Sequence, residues 1–91
     1  SAASDVYKRQ LALVAREFCR VYRVRLLDFA ALAAAAAAST ASIEGIAVHG
    51  NRHEAARALE SVLRAVPALS GKNEEFAGFC AQVYLSVAEV M

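Results

Sequence analysis

The sequence predicts an all-α fold of three or four antiparallel helices, and three observations carry that expectation. Alanine, the strongest helix former, supplies 22 of the 91 residues, whereas Pro occurs once and Gly four times. Apolar residues recur every third or fourth position along most of the chain, which places them on one side of a helix. No segment alternates apolar and polar residues with a period of two, so a sheet is not expected. Ninety-one residues correspond to one domain and are too few for a multidomain enzyme.

From Leu11 the residues Leu11, Val14, Phe18, Val21 with Tyr22, Leu26, Phe29 and Leu32 share a helix face, and Arg16, Arg20 and Arg23 occupy the opposite stripe. The stretch Ala33 to Ala38 favours helix strongly, and its small side chains let a neighbouring backbone approach closely. A helix from Leu11 to Glu44 would be about 50 Å long at a rise of 1.5 Å per residue, so a break is expected at Asp28 or within Ser39 to Ser42. Gly45 and Gly50 are the first strong stops. Asn51 then caps a helix that turns Ala55, Leu59, Val62 and Val66 inward and Glu54, Arg57, Ser61 and Arg64 outward; Glu60 and Arg64 are spaced for an ion pair. Pro67 ends it. Asn73 reads as a second cap, with Glu74 and Glu75 in a first turn where the helix dipole favours anions. Phe76, Cys80, Val83, Val87 and Val90 form the buried stripe of the last helix. The expected core is Phe18, Leu26, Leu59, Val62, Phe76, Cys80 and Val83.

The formal net charge of +1 gives no global attraction to nucleic acid or to an anionic membrane. Its distribution is bipolar: six cations face two anions from Ser1 to Leu27, and four face seven from Asp28 to Met91. Cys19 and Cys80 are far apart, without CxxC spacing, and read as buried free thiols in a reducing, cytoplasmic setting. The longest uncharged run, Phe29 to Ile43, is 15 residues, short of the roughly 20 a bilayer span requires.

Three short segments resemble known sequences. Asp5-Val6-Tyr7-Lys8-Arg9-Gln10 resembles, letter for letter, the translated transposase adapter end met in open reading frames from environmental shotgun libraries. That resemblance implies a non-native lead-in over residues 1–10, with the natural single domain over 11–91 and a gene truncated upstream. Gly50 to Pro67 resembles the second helix of a tetratricopeptide repeat, with Ala55 and Leu59 at the small and large packing positions and Val62 replacing the usual small residue. Phe76, Ala77 and Cys80 continue the register into the next repeat, whereas Ser39, Ser42 and Ile43 depart from the pattern before it. Finally, Thr40-Ala41-Ser42-Ile43-Glu44-Gly45 resembles the (Ser/Thr)-x-x-x-Glu-(Gly/Asn) motif of inhibitors of Fic-domain AMP-transferases. The resemblance implies that Glu44 is the obstructing carboxylate, that Thr40 lies one helical turn before it and that Gly45 terminates the helix. The catalytic Fic loop is absent: His49-Gly50-Asn51-Arg52 lacks its Pro-Phe and second Gly.

The remaining polar residues point to no reaction. His49 and His53 are four apart, but Gly50 and Asn51 interrupt a common helix and no third ligand accompanies them, so no metal or other cofactor is expected. Ser39, Thr40 and Ser42 lack a base and an orienting acid. The expectation is a non-catalytic helical protein-interaction module, a fragment of a tetratricopeptide-like repeat protein, that binds a protein partner or itself and no membrane. The alternatives are a small antitoxin acting through Thr40, Glu44 and Gly45, and nucleic-acid binding through Arg16, Arg20 and Arg23.

Overall fold

The computed structural model describes residues 2–40, 42–43, 46–47 and 51–90, with side chains described over 8–40 and 51–87. Four helices form: α1 (Ala2–Tyr22), α2 (Phe29–Ser39), α3 (Arg52–Ala65) and α4 (Asn73–Val90). The fold is all-α, as the alanine content and the periodicity predict. It carries one addition, an antiparallel ladder between β1 (Ser42–Ile43) and β2 (Ile46–Ala47), with Ser42 opposite Ala47 and Ile43 opposite Ile46. Two residues a side are too few to leave a period-two pattern, which is why this ladder is not expected from the sequence.

The long helix expected from the sequence is broken twice, over residues 23–28, beginning earlier than the expected Asp28, and again after Ser39. At the end of α1, Arg23 adopts a left-handed conformation with φ 56°, and the Val24 N–H donates to the Cys19 carbonyl at 3.2 Å. This is the closure of a Schellman-type helix end, made without the usual glycine. Asp28 occupies the N-cap position of α2 in extended geometry, with no hydrogen bond from its side chain to the helix. At the other end α2 stops at Ser39, so the helix expected to reach Glu44 falls short of it. Ser39 and Thr40 both donate their hydroxyls to the Ala36 carbonyl, at 2.9 and 3.0 Å, which competes with continuation of the helix.

The other two helix starts differ in kind. Asn51 caps α3 as expected, its side-chain oxygen accepting from the Glu54 N–H at 3.0 Å. Asn73 does not cap α4. It is the first helical residue, preceded by Lys72 in a left-handed conformation with φ 57°, and the Lys72 carbonyl accepts from the Phe76 N–H at 2.9 Å. The Asn73 amide turns back instead to the main chain of Leu69.

That backward turn belongs to a larger arrangement. The segment joining α1 to α2 runs alongside the one joining α3 to α4, with Leu26 bridged to Leu69 in antiparallel fashion. The Ser70 N–H donates to the Arg25 carbonyl at 2.8 Å, and the Ala68 carbonyl accepts from the Leu27 and Asp28 N–H groups at 2.7 and 3.1 Å. The Arg25 N–H donates to Ser70 Oγ at 2.8 Å. Both interhelical corners are thereby stitched into one end of the molecule. α1 therefore arrives at that end and α4 departs from it.

The core lies between the four helices. Phe18, Leu59, Phe76 and Cys80 are buried as expected, and Val62 packs at the edge. Leu26 is 40% exposed rather than central, because the chain has left the helix before it and its backbone is used in the corner. Val83 is half-buried, and Leu11, Leu32, Leu63 and Leu69 fill the interior instead. Val66, expected to face inward, is exposed because α3 ends at Ala65. Phe29 is exposed for the related reason that α2 starts a new helix axis, which resets the phase of the stripe. Ala31, Ala35 and Ala36 bury one side of α2, so the alanine run packs against its neighbours with almost no side-chain bulk.

Candidate functional site

The amphipathic pattern of α1 contains more apolar surface than one helix face needs. Leu11, Ala15 and Phe18 turn into the core. Leu13, Val21 and Tyr22 do not: they are 65, 55 and 49% exposed, and Phe79 of α4 is 47% exposed across from them. Together with Val14 and Phe18 they line an open groove of about 460 Å³ between α1 and α4, with Glu17 the one acidic residue in its wall. Val21 and Tyr22 belong to the apolar face expected from the sequence, though not to the expected core, and Leu13 and Phe79 carry no such expectation. The available signal was the doubling of the stripe, Leu13 with Val14 and Val21 with Tyr22, which spreads the apolar face over two adjacent rows.

The groove has a fixed aromatic floor. The Phe18 ring lies 4.4 Å from Tyr22, 5.1 Å from Phe76 and 5.9 Å from Phe79, centroid to centroid, all in tilted contact. Such geometries set the ring edge of one residue toward the face of the next and hold each rotamer in place. Lys72 closes the corner end, its ammonium 5.6 Å from the centre of the Tyr22 ring. Phe18 and Phe76, which anchor this surface, are both buried.

The arginines of α1 lie outside the groove lining, whose one charged residue is Glu17. Arg16 and Arg20 stand one and two turns on from Leu13 along α1, and both are exposed. Arg20 forms a two-point ion pair with Glu17, and that hydrogen bond, reinforced by the charge of Arg20, holds the Glu17 carboxyl below its ordinary range. Arg23 lies past the helix end, in the left-handed turn. The three arginines therefore do not form a uniform free patch: Arg20 is engaged by Glu17, and Arg23 follows a different backbone direction.

The other residues singled out by the sequence are dispersed. Thr40 is at the end of α2, its N–H and hydroxyl both donating to the Ala36 carbonyl. Glu44, Gly45 and His49 lie outside the described residues, and α2 ends at Ser39, just before Thr40. His53 is exposed in the first turn of α3. Cys19 is half-buried and Cys80 buried, both with free thiols; burial raises both, pushing the Cys80 thiol up to about 12. Of the tetratricopeptide-like positions, Ala55, Leu59, Phe76, Ala77 and Cys80 are buried and Val62 is half-buried, all on α3 and α4. Among the described residues no group of three His, Cys, Asp or Glu side chains converges, and no helix is long and apolar enough to cross a membrane. Comparison with protein-family models, curated proteins and solved structures gives no match to this chain.

Proposed function

We propose that the chain is a non-catalytic helical module that binds protein through the groove between α1 and α4. The observation that carries this reading is the grouping of Leu13, Val21, Tyr22 and Phe79, each 47 to 65% exposed, on one face built from two helices. Single exposed apolar residues are common on any surface, but a contiguous group at a cleft is characteristic of a binding face. Aromatic residues on a rigid base are also the side chains that supply most binding energy at protein interfaces. The tetratricopeptide-like positions of α3 and α4 serve the internal packing of the module in this reading.

A photo-crosslinking phenylalanine analogue in place of Phe79 tests the proposal. Protein adducts are expected from that position in cells and not from the same analogue in place of Arg57, which is exposed on α3. Leu13→Asp is expected to abolish the adducts while leaving the far-ultraviolet circular dichroism spectrum intact. Equal adduct yield from both positions, or adducts insensitive to Leu13→Asp, would overturn it.

A further inference from the structure

We infer that residues 23–28 are a hinge: straightened, they join α1 and α2 into one helix, and two copies of the chain exchange α1 through it. This goes beyond the groove reading and is independent of it, because exchange returns α1 to the equivalent place beside α4 of the other copy.

Local composition is the first argument. The connection between α3 and α4 holds Pro67 and Gly71, residues that disfavour helix by themselves. The connection between α1 and α2, Arg23-Val24-Arg25-Leu26-Leu27-Asp28, holds neither, and Arg and Leu are good helix formers. Its break therefore depends on support from elsewhere. Arg23 takes φ 56°, a conformation that crowds any residue with a Cβ. Asp28 stands at the N-cap of α2 without a side-chain hydrogen bond to the helix. What holds the segment is the pairing of Arg25 with Ser70 and of the Leu27 and Asp28 N–H groups with the Ala68 carbonyl. Local preference and tertiary contact thus favour different conformations of the same six residues.

The apolar phase is the second argument. Leu26 and Phe29 continue, at helical spacing, the stripe of Leu11, Phe18 and Tyr22. In the broken chain both are exposed, together with Leu27. In one straight helix Leu26 and Phe29 return to the side occupied by Phe18, so the sequence carries an apolar stripe for a helix longer than α1 or α2.

Exchange preserves the core. α1 supplies Leu11, Ala15 and Phe18 to the interior, and once the hinge is straight these side chains point away from their own α2 and α4. A second copy in the same state offers the identical vacancy, and giving and receiving one helix each closes the pair with twofold symmetry. The N–H groups of 25, 27 and 28 exchange their present acceptors for carbonyls within the helix. Their former partners on 68–70 are uncovered to water by the same movement. Short connections held against their own preference are where such exchange occurs.

The test is refolding of the full chain from denaturant at low and high protein concentration. Mass action favours exchange in the concentrated sample. A dimer is expected there that separates from monomer by size exclusion and persists on dilution, because reversal requires α1 to leave its core. Spin labels on non-natural side chains at Arg16 and Ala37, both exposed, read the hinge directly. With labelled chain diluted into excess unlabelled chain, only the distance within one chain is measured. It is expected to be about 31 Å in the dimer, the rise of 21 residues of straight helix. In the monomer, where α1 packs on α2, it is expected to be under about 20 Å. Arg23→Gly favours the left-handed turn and disfavours the helix, and is expected to lower the dimer yield about tenfold. Ser70→Ala removes a bond made only in the broken form and is expected to raise it. No dimer at any concentration, a dimer that keeps the short distance, or a yield unmoved by both variants overturns the inference. Each of these outcomes leaves the groove reading in place, since crosslinking at position 79 tests that separately.

Discussion

Asn73 holds both main-chain polar groups of Leu69, accepting from its N–H through Oδ1 and donating to its carbonyl through Nδ2, each at 3.0 Å. Leu69 is itself bridged to Leu26, so one amide side chain supports the corner that joins the two halves of the molecule. Leu69 is buried, and water cannot readily replace these bonds. Asn73→Ala is expected to destabilise the fold by about 1–3 kcal/mol, the cost of leaving such groups unpaired. Asn73→Asp keeps the acceptor and loses the donor, and is expected to be intermediate at neutral pH. Urea denaturation of the three proteins checks the order, and equal stability of wild type and Asn73→Ala would show that the clasp contributes nothing.

Arg23 closes α1 in a left-handed conformation that glycine adopts without a Cβ penalty. Arg23→Gly is therefore expected to raise stability by about 0.5–1 kcal/mol, since relief of the native backbone exceeds the entropy gained by the unfolded chain. Its side chain is exposed, so no packing is lost. A lower melting temperature for Arg23→Gly would contradict this account of the helix end.

The alanine run on α2 has two unlike sides. Ala35 is fully buried, whereas Ala34 and Ala37 are exposed. Ala35→Leu is expected to overpack the interior and cost about 1–3 kcal/mol, while Ala37→Leu is expected to change stability by less than about 0.5 kcal/mol. Similar losses at both positions would indicate that packing is not what selects alanine there.

Cys80 links stability to pH. Its thiol is pushed up to about 12 in the folded chain by burial, against an ordinary value of 9.0. A raised folded value means that the unfolded chain loses its proton first, so this contribution is complete below pH 9 and is lost progressively toward pH 12. Comparison with Cys80→Ala isolates the effect: stability of the wild type is expected to fall more steeply than that of the variant over this interval, by up to about 1.4 kcal/mol per pH unit. Parallel curves would refute it. Alkylation at neutral pH is also expected to modify Cys19 before Cys80, because Cys80 is the more deeply buried.

The exposed ion pair between Glu60 and Arg64, at 2.7 Å and spaced as expected, contributes little. Arg64→Ala is expected to cost less than about 1 kcal/mol, and the loss is expected to shrink in high salt. A larger, salt-insensitive loss would mean that the arginine stem, rather than its charge, matters for packing.

Much of this architecture is legible locally. The cap at Asn51, the pair from Glu60 to Arg64, the stop before Pro67 and the burial of Phe18, Leu59, Phe76 and Cys80 follow from spacings within one or two helical turns. Asn73 misled because the same side chain that caps helices also serves distant backbone, and only proximity to Leu69 selects between the two. Leu26, Val66 and Phe29 misled because each lies where a helix has ended or a new axis has begun, and periodicity continues in sequence after the helix that gives it meaning has stopped. The groove was the least legible feature, since an apolar stripe looks the same whether a neighbour covers it or leaves it open.

The sequence by itself determined the class of the fold, the approximate helices and the side each turns inward, because helix propensity, capping and amphipathic spacing act over a few residues. The tertiary structure alone decided which apolar residues remain outside and how the corners are joined. The hydrogen bonds between 25–28 and 68–70 connect segments about forty residues apart, and once those corners are stitched, α1 and α4 meet through Phe18 and Phe79 while Leu13, Val21 and Tyr22 stay exposed. Burial depends on what fills the space beside a side chain, and that is a property of the assembled helices rather than of any one of them.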